Sequence, residues 1–264
     1  MNLEDIDFNK LYKKQKQKTT FKPKSSDDWN NKAPSMNERV HTSIYNDEFL
    51  KNLDLHGIDS LLDVGCGVGN LSLKLAKKLK NVYSLDYSTK MLELLKQNAK
   101  EQNIKNITTI NSSWYDNWDN IPNADLVIAS RSMEVKDMKE ALSKLNEKAN
   151  KKVVISYKKG GSFVSDEILD ALKKDIVKKP DYIYVVNILY SMGINASVNF
   201  INSEGRNTIY SSKENFIQSI KWSIGELDEQ EIKNLEEYYD SLSEERKNKK
   251  EFVQWAMLSW DKKE

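Results

Sequence analysis

The sequence predicts an α/β fold, a doubly wound parallel sheet, from two recurring textures. Short apolar runs bounded by polar turns stand at 60–64, 82–85, 107–110, 126–129 and 153–156. They are β-branched or Leu-rich, as strands buried on both faces are. Stripes at helical spacing fill the intervals between them. Such alternation implies right-handed crossovers that place helices on both faces of one sheet.

The elements follow in order. Residues 1 to about 35 are polar, with Lys10, Lys13, Lys14, Lys16, Lys18, Lys22 and Lys24 close together. That composition favours a solvated, partly disordered leader; a basic arm touching an anionic partner is the alternative. Over 28–53 a helical pattern puts Val40, Ile44, Phe49 and Leu50 on one stripe. After the first strand, Leu71, Leu75 and Leu79 recur every four residues, and Met91, Leu92, Leu95 and Ala99 make a second stripe. A third carries Met138, Ala141, Leu142 and Leu145, opened by Asp137 with Glu140 three positions on, a capping pattern. Beyond Gly160 the pattern loosens. Helices are expected at 166–174 and 182–192 (the second opened by Pro180), a strand at 196–201, and a helix at 211–224 with Ser211 and Glu214 as a capping box. One long charged helix spans 228–248 with Ile232, Leu235, Tyr239 and Leu242 on one face, and an aromatic-rich strand closes the chain at 252–260.

Composition narrows the function classes. A chain of 264 residues suits one well-cored domain with extensions. Its 41 basic and 40 acidic residues leave a formal charge of +1, so nothing electrostatic favours nucleic acid as the main partner. No apolar run approaches the roughly 18 residues of a membrane span. Charges fall where a signal peptide needs an apolar core, so the expected location is the cytoplasm. A single cysteine, Cys66, and two histidines, His41 and His56, leave little for a metal site.

The most informative stretch is 60–70, Ser-Leu-Leu-Asp-Val-Gly-Cys-Gly-Val-Gly-Asn, a strand running into a glycine-rich turn and then a helix. Glycines there let the backbone turn sharply and approach a ligand. The helix beyond offers free N–H groups to an electronegative group. A dinucleotide site has Gly-x-Gly-x-x-Gly, with room for a pyrophosphate; here Gly69 follows Gly65 and Gly67 one residue early, and Asp63 precedes them. A carboxylate there repels a diphosphate and welcomes an ammonium. Asp86, at the end of the second strand, stands where an acidic side chain accepts from both ribose hydroxyls. Together these features describe S-adenosylmethionine better than NAD.

The segment 61–69, with 84–87 as a ribose-binding second strand, resembles the class I, Rossmann-like S-adenosylmethionine-dependent methyltransferases, and residues from about 59 to 157 follow that family's order. The resemblance implies a mostly parallel seven-stranded sheet whose last hairpin is antiparallel, supplied by the strands at 196–201 and 252–260. It also implies an N-terminal arm and helical cap over 1–55, and a Rossmann-like domain over 56–264 with helical insertions at about 160–195 and 211–248. The implied cofactor residues are Asp63, Gly65, Cys66, Gly67, Gly69, Asp86 and Ser130. Many relatives end the third strand in an acid that binds the adenine amino group; here Ser113 and Trp114 stand instead, as a weaker hydrogen bond and a stacking surface. Tyr87 is the candidate cover for the ring's other face.

Ligands of open parallel sheets sit beyond the carboxyl ends of the strands. The fourth strand ends in Ala-Ser-Arg-Ser-Met-Glu, 129–134, without the Asn/Asp-Pro-Pro-aromatic motif of relatives that methylate amides or nucleobase amines. Arg131 is a candidate for holding a carboxylate or phosphate on a small substrate, pairing with Glu134 being the alternative. Trp29 resembles part of a lid, and Tyr157 and Tyr190 are further substrate candidates, Tyr190 within an insertion that also carries Tyr182 and Tyr184. Packing competes with function for all of these aromatics, and Trp222, Trp255 and Trp260 read as core. Glu134 and Tyr157 are candidate bases, with no choice between them. The expected reaction is methyl transfer to a small-molecule acceptor, leaving S-adenosylhomocysteine. An RNA or protein methyltransferase, and a non-catalytic S-adenosylmethionine-binding regulator, are the alternatives.

Overall fold

The lysine-rich leader is helical, against expectation. The computed structural model describes residues 2–205 and 207–262; the predicted ranges 1–55 and 56–264 also take in residues 1, 206, 263 and 264, which lie outside the described residues. Helix α1 (Phe8–Lys18) is capped by Asp7, and α2 (Ser26–Asn37) by a reciprocal box of Ser25 and Asp28. Tyr12 of α1 is fully buried, its hydroxyl donating to the Val135 carbonyl at 2.8 Å. Lys13 pairs with Asp137 at 2.8 Å and Lys16 with Glu134 at 2.7 Å. Tertiary partners more than a hundred residues away thus order a segment whose composition alone predicts disorder.

The single helix expected over 28–53 is two. After α2 the chain passes through a 3₁₀ turn at Val40–Thr42 and restarts as α3 (Ile44–Lys51), capped by Ser43. The break resets the helical phase: Val40 and Phe49 are buried as expected, Ile44 is exposed, and Tyr45, off the predicted stripe, is fully buried.

The chain then runs β1 (Ser60–Val64), α4 (Ser72–Ala76), β2 (Asn81–Asp86), α5 (Thr89–Glu101), β3 (Ile107–Asn111), β4 (Ala124–Ser130), α6 (Met138–Lys148) and β5 (Ala149–Lys158). Next come α7 (Asp166–Ala171), α8 (Tyr182–Ser191), β6 (Ser197–Glu204), α9 (Lys213–Ile224), α10 (Glu229–Ser241), α11 (Glu244–Asn248) and β7 (Phe252–Asp261). The seven strands lie in the order β3-β2-β1-β4-β5-β7-β6. β1 to β5 pair in parallel, and β7 runs antiparallel between β5 and β6.

Alternate side chains of the strands feed two cores. Leu62, Val64, Val127, Val153 and Ile155 face α6, α8 and Tyr12; Leu61, Val82, Leu126, Ile128 and Val154 face α3 and α4. A third core, Phe21 with residues of α7, α9 and α10, forms beyond the edge at which β5 and β6 end and β7 begins.

Three boundaries differ from the sequence reading. The cap of α9 is Ser212, accepting from Asn215 N at 3.1 Å, one residue later than the Ser211–Glu214 box. The helix expected over 228–248 breaks after Ser241, and Ser243 caps the restart by accepting from Arg246 N. Pro180 precedes α8, whose cap is Asp181. Among the described residues, no helix is long and apolar enough to cross a membrane.

Candidate functional site

The glycine turn is clamped to the next strand. Gly65 N and Cys66 N both donate to the Leu85 carbonyl, at 2.7 and 3.0 Å. Gly65 has φ +73°, and a Cβ there would lie 2.3 Å from that of Ser132. Only glycine allows this approach, which brings the segment after β4 against the turn. The Ser132 hydroxyl then donates to the Val64 carbonyl at 2.6 Å.

Two carboxylates flank the turn. Asp86 accepts from Gly67 N at 2.8 Å and from Ser88 N at 2.9 Å through different oxygens, so each keeps a free lone pair. Burial pushes its pKa up, against those backbone bonds. Asp63 lies beneath the turn, accepting from the Ser72 hydroxyl at 2.6 Å, with Ser84 behind. Burial pushes its pKa up to about 7, opposed by the Ser72 bond and reinforced by Asp86. Among the described residues neither carboxylate has a lysine, arginine or histidine within 4.0 Å. Two buried acids without a counter-cation fit a ligand that carries positive charge and hydroxyls, and disfavour a diphosphate.

The Asp63 shift gives a stability prediction with a definite sign. Near the ordinary value of 3.8 the unfolded chain loses its proton, while the folded chain keeps it until about pH 7. The folded state therefore binds more protons across that window, and this residue's contribution to stability falls as pH rises through it, levelling off above 7. Thermal melts of ligand-free wild type and Asp63→Asn should show the variant gaining relative stability from pH 5 to pH 8. A gap constant with pH would mean that Asp63 ionises normally.

Helix α2 lies across the turn and α5. Asn30 accepts from the Ser88 hydroxyl at 2.7 Å and from Lys90 N at 3.2 Å. Asn98 donates both to Asn37 at 2.7 Å and to the Val68 carbonyl at 3.0 Å. His41 meets Asn37 at 3.1 Å. Trp29 packs with Val68 and Met91 and meets Trp222 edge-on at 5.9 Å. Tyr87 donates to the Lys24 carbonyl at 3.2 Å, so its hydroxyl anchors the N-terminal segment.

The other candidates divide. Ser113 turns into its own loop: its hydroxyl accepts from Tyr115 N, and its N–H meets Asp116 at 2.7 Å. Trp114 stacks on Trp118 at 5.3 Å, and its indole donates to the Ser132 carbonyl at 3.1 Å. One face of the ring is thus occupied by protein, and the side chain holds the segment after β4 in place. Tyr157 is buried beside Tyr12, and among the described residues its hydroxyl has no hydrogen-bond partner; burial pushes its pKa up, which keeps it protonated and unsuited to act as a base. Glu134 pairs with Lys16 at 2.7 Å and Lys179 at 3.0 Å rather than with Arg131. Burial raises its pKa and the two lysines more than offset this, so it stays ionised. Tyr190 is 54 % exposed near the end of α8, on the segment that leads into β6 opposite the carboxyl edge. Of the tryptophans read as core, Trp255 and Trp260 are buried and Trp222 only partly.

Sequence reasoning missed Asn30, Tyr45 and Ser156. The Tyr45 hydroxyl joins Ser130 at 2.7 Å and Ser156 at 2.6 Å, bridging the carboxyl ends of β4 and β5 from α3. No local signal marks such a bridge, whose partners are 85 and 111 residues away.

Comparison with known proteins gives the family and the fold. The family model described as "Methyltransferase domain" matches residues 55–256, from before β1 into β7. The chain belongs to this methyltransferase family. It uses S-adenosylmethionine as methyl donor, and it is an enzyme of the class I, Rossmann-like type. The methyltransferase is 34% identical over 268 residues to an uncharacterized protein of Haemophilus influenzae, covering 99% of this chain and 98% of that one. A probable cobalt-precorrin-6B C(15)-methyltransferase (decarboxylating) of Methanobrevibacter smithii is 31% identical over 127 residues, 47% of this chain and 63% of that protein. Shorter matches of about a quarter of the chain fall on 23S rRNA (uracil(1939)-C(5))-methyltransferases of Aliivibrio. In fold, magnesium protoporphyrin IX methyltransferase from Synechocystis PCC 6803 superposes with a TM-score of 0.53 at 14% identity, covering 99% of this chain and 100% of that one.

Proposed function

We propose that this methyltransferase acts on a small-molecule acceptor, bound beyond the carboxyl ends of β4 and β5 beside a donor held by residues 65–69 and Asp86. The observation that carries this reading is the cover over the site. Helix α2 lies across the glycine turn through Asn30 and Asn37. Helix α1 closes over the segment after β4 through Tyr12, Lys13 and Lys16. A polymer needs an open groove, and two lysines of the N-terminal cluster are already paired with acids of this chain. In this reading residues 1–55 are the cap.

When bound, S-adenosylmethionine supplies a methyl group on a positively charged sulfonium. In the proposed roles, Asp86 accepts from the ribose hydroxyls through its free lone pairs, and Asp63 adds negative charge beneath the turn. Trp29 and Tyr87 shut out water. Holding the acceptor in line contributes about 7–11 kcal/mol where alignment is good, and no base is assigned. The precorrin and protoporphyrin enzymes above bear names of small-molecule methyltransferases, which supports the same class of acceptor.

The test is incubation with methyl-labelled S-adenosylmethionine and bacterial extract separated into small-molecule, RNA and protein fractions. Label is expected in the small-molecule fraction, with turnover nearly independent of salt. Label in RNA that falls steeply with salt, or label in protein, would replace this reading.

A further inference from the structure

We infer that Arg131 binds an anionic group, a carboxylate or a phosphate, on the methyl acceptor and so selects for acidic small molecules. The inference rests on the proposed small-molecule acceptor and narrows it.

The first observation is backbone geometry. Arg131 follows the last residue of β4 with φ +59°, a left-handed conformation that is uncommon for a residue other than glycine. The Arg131 N–H donates to the Ser156 hydroxyl at 2.9 Å and fixes that turn. In a regular strand Ser130 and Arg131 would point to opposite faces. The left-handed residue cancels the alternation, so both reach Tyr45: Ser130 Oγ meets its hydroxyl at 2.7 Å, and the guanidinium lies over its ring at 4.2 Å.

The second observation is the state of the charge. The half-buried guanidinium has five N–H donors, and among the described residues it makes no hydrogen bond and no ion pair. Glu204 is the acid whose field it feels, but among the described residues no ion pair within 4.0 Å joins them, and the Glu204 oxygens accept from the Ser43 hydroxyl and Ile44 N, each at 2.6 Å. That carboxylate holds the start of α3 and acts on Arg131 only at a distance. Burial accordingly lowers the Arg131 pKa, with Tyr45 and Glu204 acting the other way. A desolvated cation with its donors unspent is a recognition element for an anion that offers two oxygens, which guanidinium grips with two parallel bonds.

The third observation is position. Ser132, the next residue, touches the glycine turn through Val64 and Gly65. The backbone at Arg131 is thus one residue from the proposed donor site, and its guanidinium lies over the Tyr45 ring at the carboxyl ends of β4 and β5.

The experiment is calorimetric titration of S-adenosylhomocysteine-saturated protein with inorganic phosphate and, separately, with acetate, at ionic strength matched with chloride. Wild type is expected to bind at least one anion at millimolar concentration, and the stronger arm tells phosphate from carboxylate. Arg131→Gln should weaken that binding at least tenfold while S-adenosylhomocysteine affinity stays within twofold. Arg131→Lys, which keeps the charge and loses the fork, should fall between them, and it serves as the test if the Gln variant does not fold. Equal anion binding in all three proteins, or none in wild type, would overturn the inference. So would a tenfold loss of S-adenosylhomocysteine affinity in Arg131→Gln, which would give the guanidinium to the donor's carboxylate and leave the small-molecule reading standing. Failure of that reading itself is separate, because it shows as labelled RNA or protein.

Discussion

Asp86→Ala is expected to weaken S-adenosylhomocysteine binding about a hundredfold or more, measured by calorimetric titration. Hydrogen bonds to a charged acceptor contribute about 1.5–3 kcal/mol each, and in the proposed role two ribose hydroxyls meet this carboxylate. The same side chain holds Gly67 N and Ser88 N, at 2.8 and 2.9 Å. Its loss therefore also frees the glycine turn and the start of α5. Asp86→Asn separates the two effects. It keeps one acceptor oxygen and the volume while losing the charge, so about a tenfold loss is expected. Affinity unchanged in both variants would remove Asp86 from the site. Equal large losses would mean that charge, rather than support of the turn, dominates.

What the sequence made legible follows from how local each signal is. The first five strands were placed within a few residues of their observed ends, because an apolar or β-branched run is written in consecutive residues, even in β3, which is only partly buried at the sheet edge. The glycine turn and Asp86 were legible for the same reason, as a fixed spacing inside one strand–helix–strand unit. Strand β6 continues to Glu204, past the predicted end at 201, because pairing with β7 carries Asn202 and Ser203 along although neither is apolar. The break between α10 and α11 interrupts an unbroken charged pattern and is marked only by the Ser243 cap. Tyr190 was named for its place in the insertion before β6, which does not say which end of α8 meets the carboxyl edge. Asn30, Tyr45 and Ser156 were not legible at all. Asn30 and Ser88 are 58 residues apart, and Tyr45 and Ser156 are 111 apart, so each acquires its role only when distant elements meet. Arg131 lies between these cases. Its type and place were readable in the sequence, whereas its left-handed backbone and its unspent donors exist only in the fold.

The N-terminal segment offers the sharpest contrast between composition and packing, and Tyr12→Ala tests it. Tyr12 is fully buried, hydrogen-bonded to the Val135 carbonyl at 2.8 Å, and edge-on to Tyr184 at 6.3 Å. Truncating a buried aromatic of this size costs about 3–5 kcal/mol, and in a chain this long each kcal/mol lowers Tm by about 2–4 °C. If α1 melts together with the sheet, the thermal midpoint should fall by about 10 °C. If α1 instead detaches on its own, the midpoint moves little, but hydrogen exchange over residues 8–18 rises to that of a free chain and trypsin cuts at Lys13, Lys14 and Lys16. Tyr12→Phe loses only the bond to Val135 and should cost about 1 kcal/mol. A leader that is merely solvated would show none of these changes. Detachment would also reach the chemistry, because the same helix carries Lys16 to Glu134 and Tyr12 to the side of Tyr157. Turnover should therefore fall in Tyr12→Ala while affinity for S-adenosylhomocysteine, whose proposed site lies on the far side of Ser132, is largely kept. That split places α1 over the acceptor, and a parallel loss of both would place it over the donor.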